Sequence, residues 1–332
     1  MKLRYPACFH DFHCIAAACP DSCCKEWDVL VDADSVETYQ AMPGALGDAL
    51  RQHLYQEDDR WYFAITDGRC PMWRQDGLCR IQAEAGHDTL CKTCREFPRL
   101  THDYGDFVEY GLELSCPEVA RMLFAGASTE WIEQEIPGGE ETEYDPVDMD
   151  ILLGTRQAML QLLADDRRPL PETLALALLF AYRAQDLLDG GEEMSFDPAA
   201  ELTFGRSAAQ PGDFGAIVDF YKDLEILTPA WEMRLNSPAF PAQWDDRLRV
   251  LARYGVERYW LQAISDFDIV GRAKMVILSC LLVHALGGDL AETAQLYAKE
   301  IENNIDNIDT ILDGAYTCPA FTDDKLLGLL LG

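Results

Sequence analysis

After Pro117 the apolar positions fall into a mostly helical pattern. VARMLFAGASTEWIEQEI predicts one or two helices, stopped at the Pro137, Gly138, Gly139 turn. The acidic run GGEETEYDPVD reads as a solvated linker. Asp148 then caps a helix through QAMLQLLADD, and Pro169 and Pro171 separate it from another through ETLALALLFAYRAQDLL. GGEEMSFDPAAELTFGRSAAQPGDFG keeps no steady period and predicts loop with short pieces of structure. Helical character returns in FGAIVDFYKDLEIL and DDRLRVLARYGVERYWLQAI. Leu290, Ala294, Tyr297, Ile301, Ile305, Ile308 and Leu312 recur at intervals of four and three, which places them on one face of a helix.

Strands are signalled only faintly, by WDVLVD and DFVEYGLEL. The run MVILSCLLVHALGG, residues 275 to 288, is too short to cross about 30 Å of hydrocarbon and reads as the centre of a buried helix, so no membrane partner is expected. The closing LLGLLLG reads as a tail packed into the body or into another subunit. The pattern predicts a mainly α-helical protein: an irregular, cysteine-rich, metal-binding module over residues 1–137 and a multihelical body over 138–332.

Composition adds a compartment and a charge. Hydrophobic residues make up 48% of the chain and aromatic ones 10%, enough for a sizeable core without disulfides. The opening MKLRYPACFHDFHC has no apolar run or cleavage site of a secretory leader, so a cytoplasmic location is expected. Acidic residues outnumber basic ones by 58 to 27, a formal net charge of -31. That field repels phosphate backbones, which argues against a nucleic-acid partner, and attracts a lysine-rich protein surface; solubility alone also accounts for it.

Ten of the twelve cysteines precede residue 117: Cys8, Cys14, Cys19, Cys23, Cys24, Cys70, Cys79, Cys91, Cys94 and Cys116. Cys280 sits in the apolar run and reads as a buried structural thiol, while the setting of Cys318 decides nothing. The early thiols stand beside Pro, Asp, Lys, Arg and Gly instead of at core spacings, and a reducing cytoplasm disfavours so many disulfides. Thiolate ligation explains them. Cysteine is the soft ligand that selects zinc, copper(I) or iron–sulfur centres, and a C-x2-C turn such as Cys91 to Cys94 lets two thiolates face one metal. More than four candidates are present, so two centres, one centre with bystander thiols and a polynuclear site all remain open. Glu26 stands where the third cysteine of a radical S-adenosylmethionine C-x3-C-x2-C motif would follow Cys19 and Cys23, so that mechanism is not indicated.

His10 and His13 lie near Cys8 and Cys14, but with thiols in excess they read as ordinary hydrogen-bonding residues; His87 and His102 are weaker candidates still. Arg80, Lys92, Arg95 and Arg99 gather beside Cys79, Cys91 and Cys94, where they favour thiolates, meet a cofactor carboxylate or form surface salt bridges. Tyr104, Asp106 and Tyr110 precede Cys116 and are candidates for orienting an amine. Trp27 and Trp73 read as core or pocket wall. No glycine-rich strand-to-helix loop is present, so a Rossmann-like cofactor pocket is not expected.

Three separated blocks, YPACFHDFHCIAAACPDSCCKEWDVLVD, CPMWRQDGLCRIQAEAGHDTLCKTCREFPR and LSCPEVARMLF, resemble the flagellin lysine-N-methylase family, whose amino-terminal part is similar to zinc- or iron-chelating cysteine-cluster proteins. KEIENNIDNI looks like a degraded form of that family's closing motif. The resemblance implies methyl transfer from S-adenosylmethionine to lysine side chains of a protein such as flagellin, with an iron–sulfur cluster, of [4Fe–4S] type. It also implies that Cys14, Cys19, Cys23, Cys24, Cys70, Cys79, Cys91, Cys94 and Cys116 occupy family motif positions, Cys8 being more dispensable. A zinc-stabilised, non-catalytic interaction module is the alternative expectation, and an oxidoreductase or metal-transfer protein using the same thiols is a third.

Overall fold

The computed structural model describes residues 1–25, 29–139, 142–191 and 195–332. The chain divides into two compact units, one of Lys2–Asp103 with Phe107–Ile136, the other of Tyr104–Asp106 with Pro137–Gly332 and Met1. It is mainly α-helical, with a multihelical carboxy-terminal body and its strands near the amino terminus.

In the cysteine-bearing unit the strands are β1 (Lys2–Pro6), β2 (Leu30–Val31), β3 (Leu54–Glu57), β4 (Arg60–Phe63), β5 (Arg99–Asp103), β6 (Phe107–Leu112) and β7 (Trp131–Glu135). Its helices are α1 (Ala33–Ala41), α2 (Gly44–His53), α3 (Arg80–Ala85), α4 (Lys92–Glu96) and α5 (Pro117–Phe124). One sheet has the order β5-β6-β1-β7, with β1 parallel to β6 and antiparallel to β7. Leu3 and Tyr5 of β1 are buried, in the two-residue period of a strand. Arg4 stands in register with Glu109, and their side chains form a 2.8 Å ion pair in which Glu109 is buried.

The second sheet, β2-β4-β3, is antiparallel and shares a core with α1 and α2. That core contains Val29, Val31, Tyr39, Leu50, Phe63 and Met72, and also Cys70 and Cys91. The helix expected over VARMLFAGASTEWIEQEI is only half present. α5 ends at Phe124, Gly126 follows with φ of 90°, and Trp131–Glu135 forms β7 against all five residues of β1. A long-range backbone ladder has overridden local helical character there, and the strands β1, β3, β4 and β5 likewise escaped the period-based reading.

The helical unit runs α6 (Pro146–Ala164), α7 (Leu170–Leu188), α8 (Pro198–Ala208), α9 (Phe214–Lys222), α10 (Pro229–Leu235), α11 (Leu248–Tyr259), α12 (Ile269–Leu286), α13 (Leu290–Glu302), α14 (Ile305–Thr317) and α15 (Asp323–Leu331). α12 is its axis: all eighteen residues are buried, with α7, α9, α11, α13 and α14 packed around it. By length and composition α12 could cross a membrane, unlike the shorter apolar run seen in the sequence, because it begins at Ile269. Its two cations are paired inside the protein. Lys274 Nζ donates to the Ala315 and Phe321 carbonyls and lies 2.7 Å from Asp323, and Arg272 pairs with Asp266 at 2.8 Å.

Three helix boundaries differ from expectation. α6 is capped by Asp145, which accepts from the Val147 amide ahead of Pro146 at the first helical position; Asp148 lies inside the first turn. Asp197 and Pro198 start the eleven-residue α8 in the same way, inside the stretch expected to be loop with short pieces of structure. The periodic face from Leu290 to Leu312 is broken into α13 and α14 at Asn304, whose side chain accepts from the Asp306 and Asn307 amides, and Ile305 is exposed. The closing leucines pack into the unit through α15, where Gly328 is required: a Cβ there would stand 1.7 Å from the Gln210 carbonyl oxygen.

Candidate metal centre

The backbone gathers the thiols before their side chains meet. The Cys70 amide donates to the Cys24 carbonyl at 2.8 Å, and the Trp73 amide donates to the Cys70 carbonyl at 3.0 Å. Trp73 bridges to Cys79, while the Arg80 amide donates to the Met72 carbonyl at 2.7 Å. These links fold the segment from Cys70 to Cys79 back on itself and lay both ends beside Cys24.

Cys91 and Cys94 arrive on α4. Cys91 is its N-cap residue, and the helix is fixed from outside by two contacts, Lys92 amide to Asp32 Oδ2 at 2.7 Å and Thr93 Oγ1 to the Leu30 carbonyl at 2.8 Å. Asp32 also caps α1 by accepting from the Ser35 amide, so one carboxylate joins two helix starts. Tyr39, fully buried, donates from its hydroxyl to the Thr89 carbonyl and holds the approach to Cys91. Neither Asp32 nor Tyr39 stood out in the sequence as part of the site; the capping pattern Asp32-x-x-Ser35 was the available signal for the first.

Five of the nine motif cysteines thereby meet one hydrophobic core. Cys70 and Cys91 belong to it, and Cys24, Cys79 and Cys94 pack against it half-buried. Within this group the Cys24 thiol is a hydrogen-bond partner of Cys23 and Cys79, and Cys94 is the partner of Cys91. Each contact favours a thiolate on one side. Hydrogen bonding from Cys24, helped by backbone amides at Gln82 and Ile81, holds Cys79 below the usual thiol range, and hydrogen bonding from Cys94 does the same for Cys91. The donors, Cys24 and Cys94, are pushed well up. Burial raises Cys70 to about 12.

The remaining four are placed differently. Cys14 and Cys23 are exposed, and Cys14 Sγ accepts from the Ala16 amide at 3.4 Å. Cys19 is half-buried, with burial raising its pKa. Cys116 is buried at the N-cap of α5 and raised to about 12 by that burial; Cys19 and Cys23 are near enough to act on it electrostatically. Cys8 is buried, and all twelve cysteines carry free thiols. Among the described residues no group of three or more His, Cys, Asp or Glu side chains is arranged to hold a metal ion. The structure therefore brings the thiols together as pairs around a shared core, with soft, partly deprotonated sulfur as the available donor chemistry.

Other residues singled out in the sequence have local partners. His10 packs edge-on against Tyr5 and Phe9, and His13 Nδ1 lies 2.9 Å from the Asp11 carbonyl. Arg80 pairs with Glu84 at 2.9 Å, Arg95 donates to the Leu90 carbonyl, and Arg99 lies over the Phe12 ring. The leading causes of the thiol shifts are sulfur–sulfur hydrogen bonds and burial, with backbone amides and the charges of neighbouring sulfurs and Asp32 adding to them. Tyr110 stacks on Phe9, and Asp106 accepts from Tyr144 within the helical unit. Trp27 and Glu26 lie outside the described residues. Cys280 is buried in α12, as expected of a structural thiol.

Fold and site together define a thiol-clustered module in a chain whose larger part is a helical body. The chain is 36% identical over 125 residues to flagellar biosynthetic protein FliU of Salmonella muenchen, a match covering 36% of this chain and 74% of that relative. It is 36% identical to a lysine-N-methylase of Salmonella choleraesuis and 35% identical to one of Salmonella typhimurium, each over 36% of this chain and 31% of the relative. The chain belongs to the flagellin lysine-N-methylase family. It matches less than a third of the length of the two lysine-N-methylases. No family model and no solved structure matches it.

Proposed function

We propose that the protein is an S-adenosylmethionine-dependent protein lysine N-methyltransferase with a flagellin-type substrate and a metal–thiolate centre of [4Fe–4S] type. The observation that carries this reading is the kinship with proteins named lysine-N-methylase, in a chain that sets five motif cysteines on one core.

Nine free thiols of the motif supply the donor set. Of these, Cys24 with Cys79 and Cys91 with Cys94 would hold the centre, because they are the two sulfur pairs set on the one core. Cys70 is the reserve ligand on the same core. Cys14, Cys19, Cys23 and Cys116 would serve a second position or none. Metal binding displaces the remaining thiol protons and contributes directly to folding of the unit. When bound, the cluster would supply an anchor for the cofactor's amino-acid end or a structural staple.

In the methyl transfer itself a lysine amine forms a nitrogen–carbon bond as the carbon–sulfonium bond breaks, releasing S-adenosylhomocysteine and one proton. The amine has an ordinary pKa near 10.4 and must first lose its proton, which desolvation or a nearby positive charge promotes. The acidic chain favours approach of a lysine-rich substrate surface.

Anaerobic purification with iron, zinc and sulfide analysis, followed by incubation with labelled S-adenosylmethionine and flagellin, tests the proposal. Iron with labile sulfide and label on flagellin lysines is expected. Zinc without sulfide and no methylated protein would favour a non-catalytic, zinc-stabilised interaction module instead.

A further inference from the structure

Between Cys70 and Cys79 the chain borders an open, solvent-facing recess of about 480 Å³. Trp73, Arg74, Gln75, Asp76 and Arg80 line it together with Pro71 and Met72. Three features of its wall call for a ligand of defined chemistry. The Trp73 indole N–H is buried and has no hydrogen-bond partner, which is costly unless something outside the chain accepts from it. The Trp73 ring is held by Arg69, whose guanidinium lies 4.6 Å from its centroid, so a rigid aromatic wall is ready for a planar group.

Arg74 and Arg80 each make one ion pair, to Asp76 at 2.6 Å and to Glu84 at 2.9 Å. A guanidinium has five N–H donors in a fork that suits a carboxylate. Both therefore retain donors for an anionic group beside their carboxylate partners. The position matters as much as the lining. Trp73 bridges to Cys79 and its amide bonds to Cys70, so the recess shares its backbone with two of the thiols gathered on the core. Gly77, at φ of 80°, closes the turn at its rim.

We propose that this recess seats S-adenosylmethionine, with Trp73 as the platform for adenine and Arg74 and Arg80 as the clamp for the methionine carboxylate. The proposal rests on the methyltransferase reading given above and assigns residues to it. A planar base and a terminal carboxylate match the aromatic and the cationic parts of the wall in turn. Neither arginine is part of the thiol set, and the Arg74 side chain is 41% exposed and the Arg80 side chain 28%.

Calorimetric titration of the anaerobically purified full chain with S-adenosylhomocysteine and with adenosine tests it, alongside tryptophan fluorescence. Wild type should bind S-adenosylhomocysteine with a fluorescence change that Trp73→Phe abolishes. Arg80→Gln should weaken S-adenosylhomocysteine about tenfold or more while leaving adenosine unchanged, because only the former carries the carboxylate. Arg74→Gln should act in the same direction. If Trp73→Phe alters metal content or the circular dichroism spectrum, the two surface arginine variants carry the test. Unchanged S-adenosylhomocysteine affinity in the variants would place the cofactor elsewhere and overturn this seat, with the methyltransferase reading intact. No binding to any well-folded, metal-loaded form would overturn both.

Discussion

The helical unit surrounds α12, eighteen consecutive buried residues, with helices long enough to cover it. In the cysteine-bearing unit one core of twelve buried residues includes two cysteines, and the elements that carry Cys79, Cys91 and Cys94 are only six and five residues long. Isolated helices of that length do not persist in water, so α3 and α4 need support from tertiary contacts. One unit is held by apolar surface removed from water; the other adds sulfur pairs at the edge of one of its apolar cores. The comparison teaches where a bound metal would matter. Ligation would contribute to folding where local structure is shortest and would be irrelevant to the body.

The strongest way to break that comparison is to remove two ligands at once. Cys91→Ser with Cys94→Ser should abolish metal content and expose the amides from Val29 to Leu112 to hydrogen exchange, a loss on the order of 10 kcal/mol if the centre behaves as structural metal sites do. Amides of α12 should keep their protection. Retained metal and unchanged exchange in the cysteine-bearing unit would mean that its apolar core suffices.

The converse substitution belongs in the body. Leu278 of α12 is fully buried, and Leu278→Ala should cost about 2–5 kcal/mol through lost burial and the cavity left behind. The thermal midpoint of the helical unit should fall, with metal stoichiometry unchanged. Loss of metal in this variant would show that the sulfur sites depend on α12, against the division drawn above.

How much of this contrast the sequence shows depends on range. The buried apolar run of α12 and the sulfur-rich first third were both legible, because one is a composition signal and the other a spacing signal. β7 was not, since Trp131–Glu135 becomes a strand only by pairing with β1, more than a hundred residues away. The grouping of Cys24 with Cys79 was equally hidden; it arises from backbone bonds at Cys70 and Met72 that no local period encodes. The resemblance to a family marked nine cysteines as motif positions, but only the folded chain separates the five on the core from the four beyond it.

A pH titration sharpens the account of the body. Glu300 on α13 is fully buried; its Oε2 accepts from the Leu227 amide at 2.7 Å while Oε1 has no partner, and burial raises its pKa to about 7. A carboxyl group raised in the folded state binds its proton more tightly folded than unfolded. Its contribution is therefore full below the ordinary value of 4.5, declines as pH rises toward about 7 and is gone above that. The span corresponds to about 3 kcal/mol. Denaturant melts between pH 5 and 8 should show this decline in wild type, and Glu300→Gln should flatten it; an unchanged slope would assign the pH dependence to other groups.

The smallest effect concerns the joint between α13 and α14. The apolar period runs through residues 290 to 312 without a break, yet the chain turns at Asn304, whose side chain satisfies two amides of α14 and also donates to Glu225 at 2.8 Å. If the cap sets that turn, Asn304→Ala should cost about 1 kcal/mol, while Asn304→Asp, which keeps the acceptor but faces Glu225, should recover only part of it. Chemical-denaturation midpoints of the three proteins decide the matter. Equal midpoints would mean that packing of Ile301 and Ile311 alone breaks the helix, and that the sequence period misled for reasons of tertiary fit instead of capping.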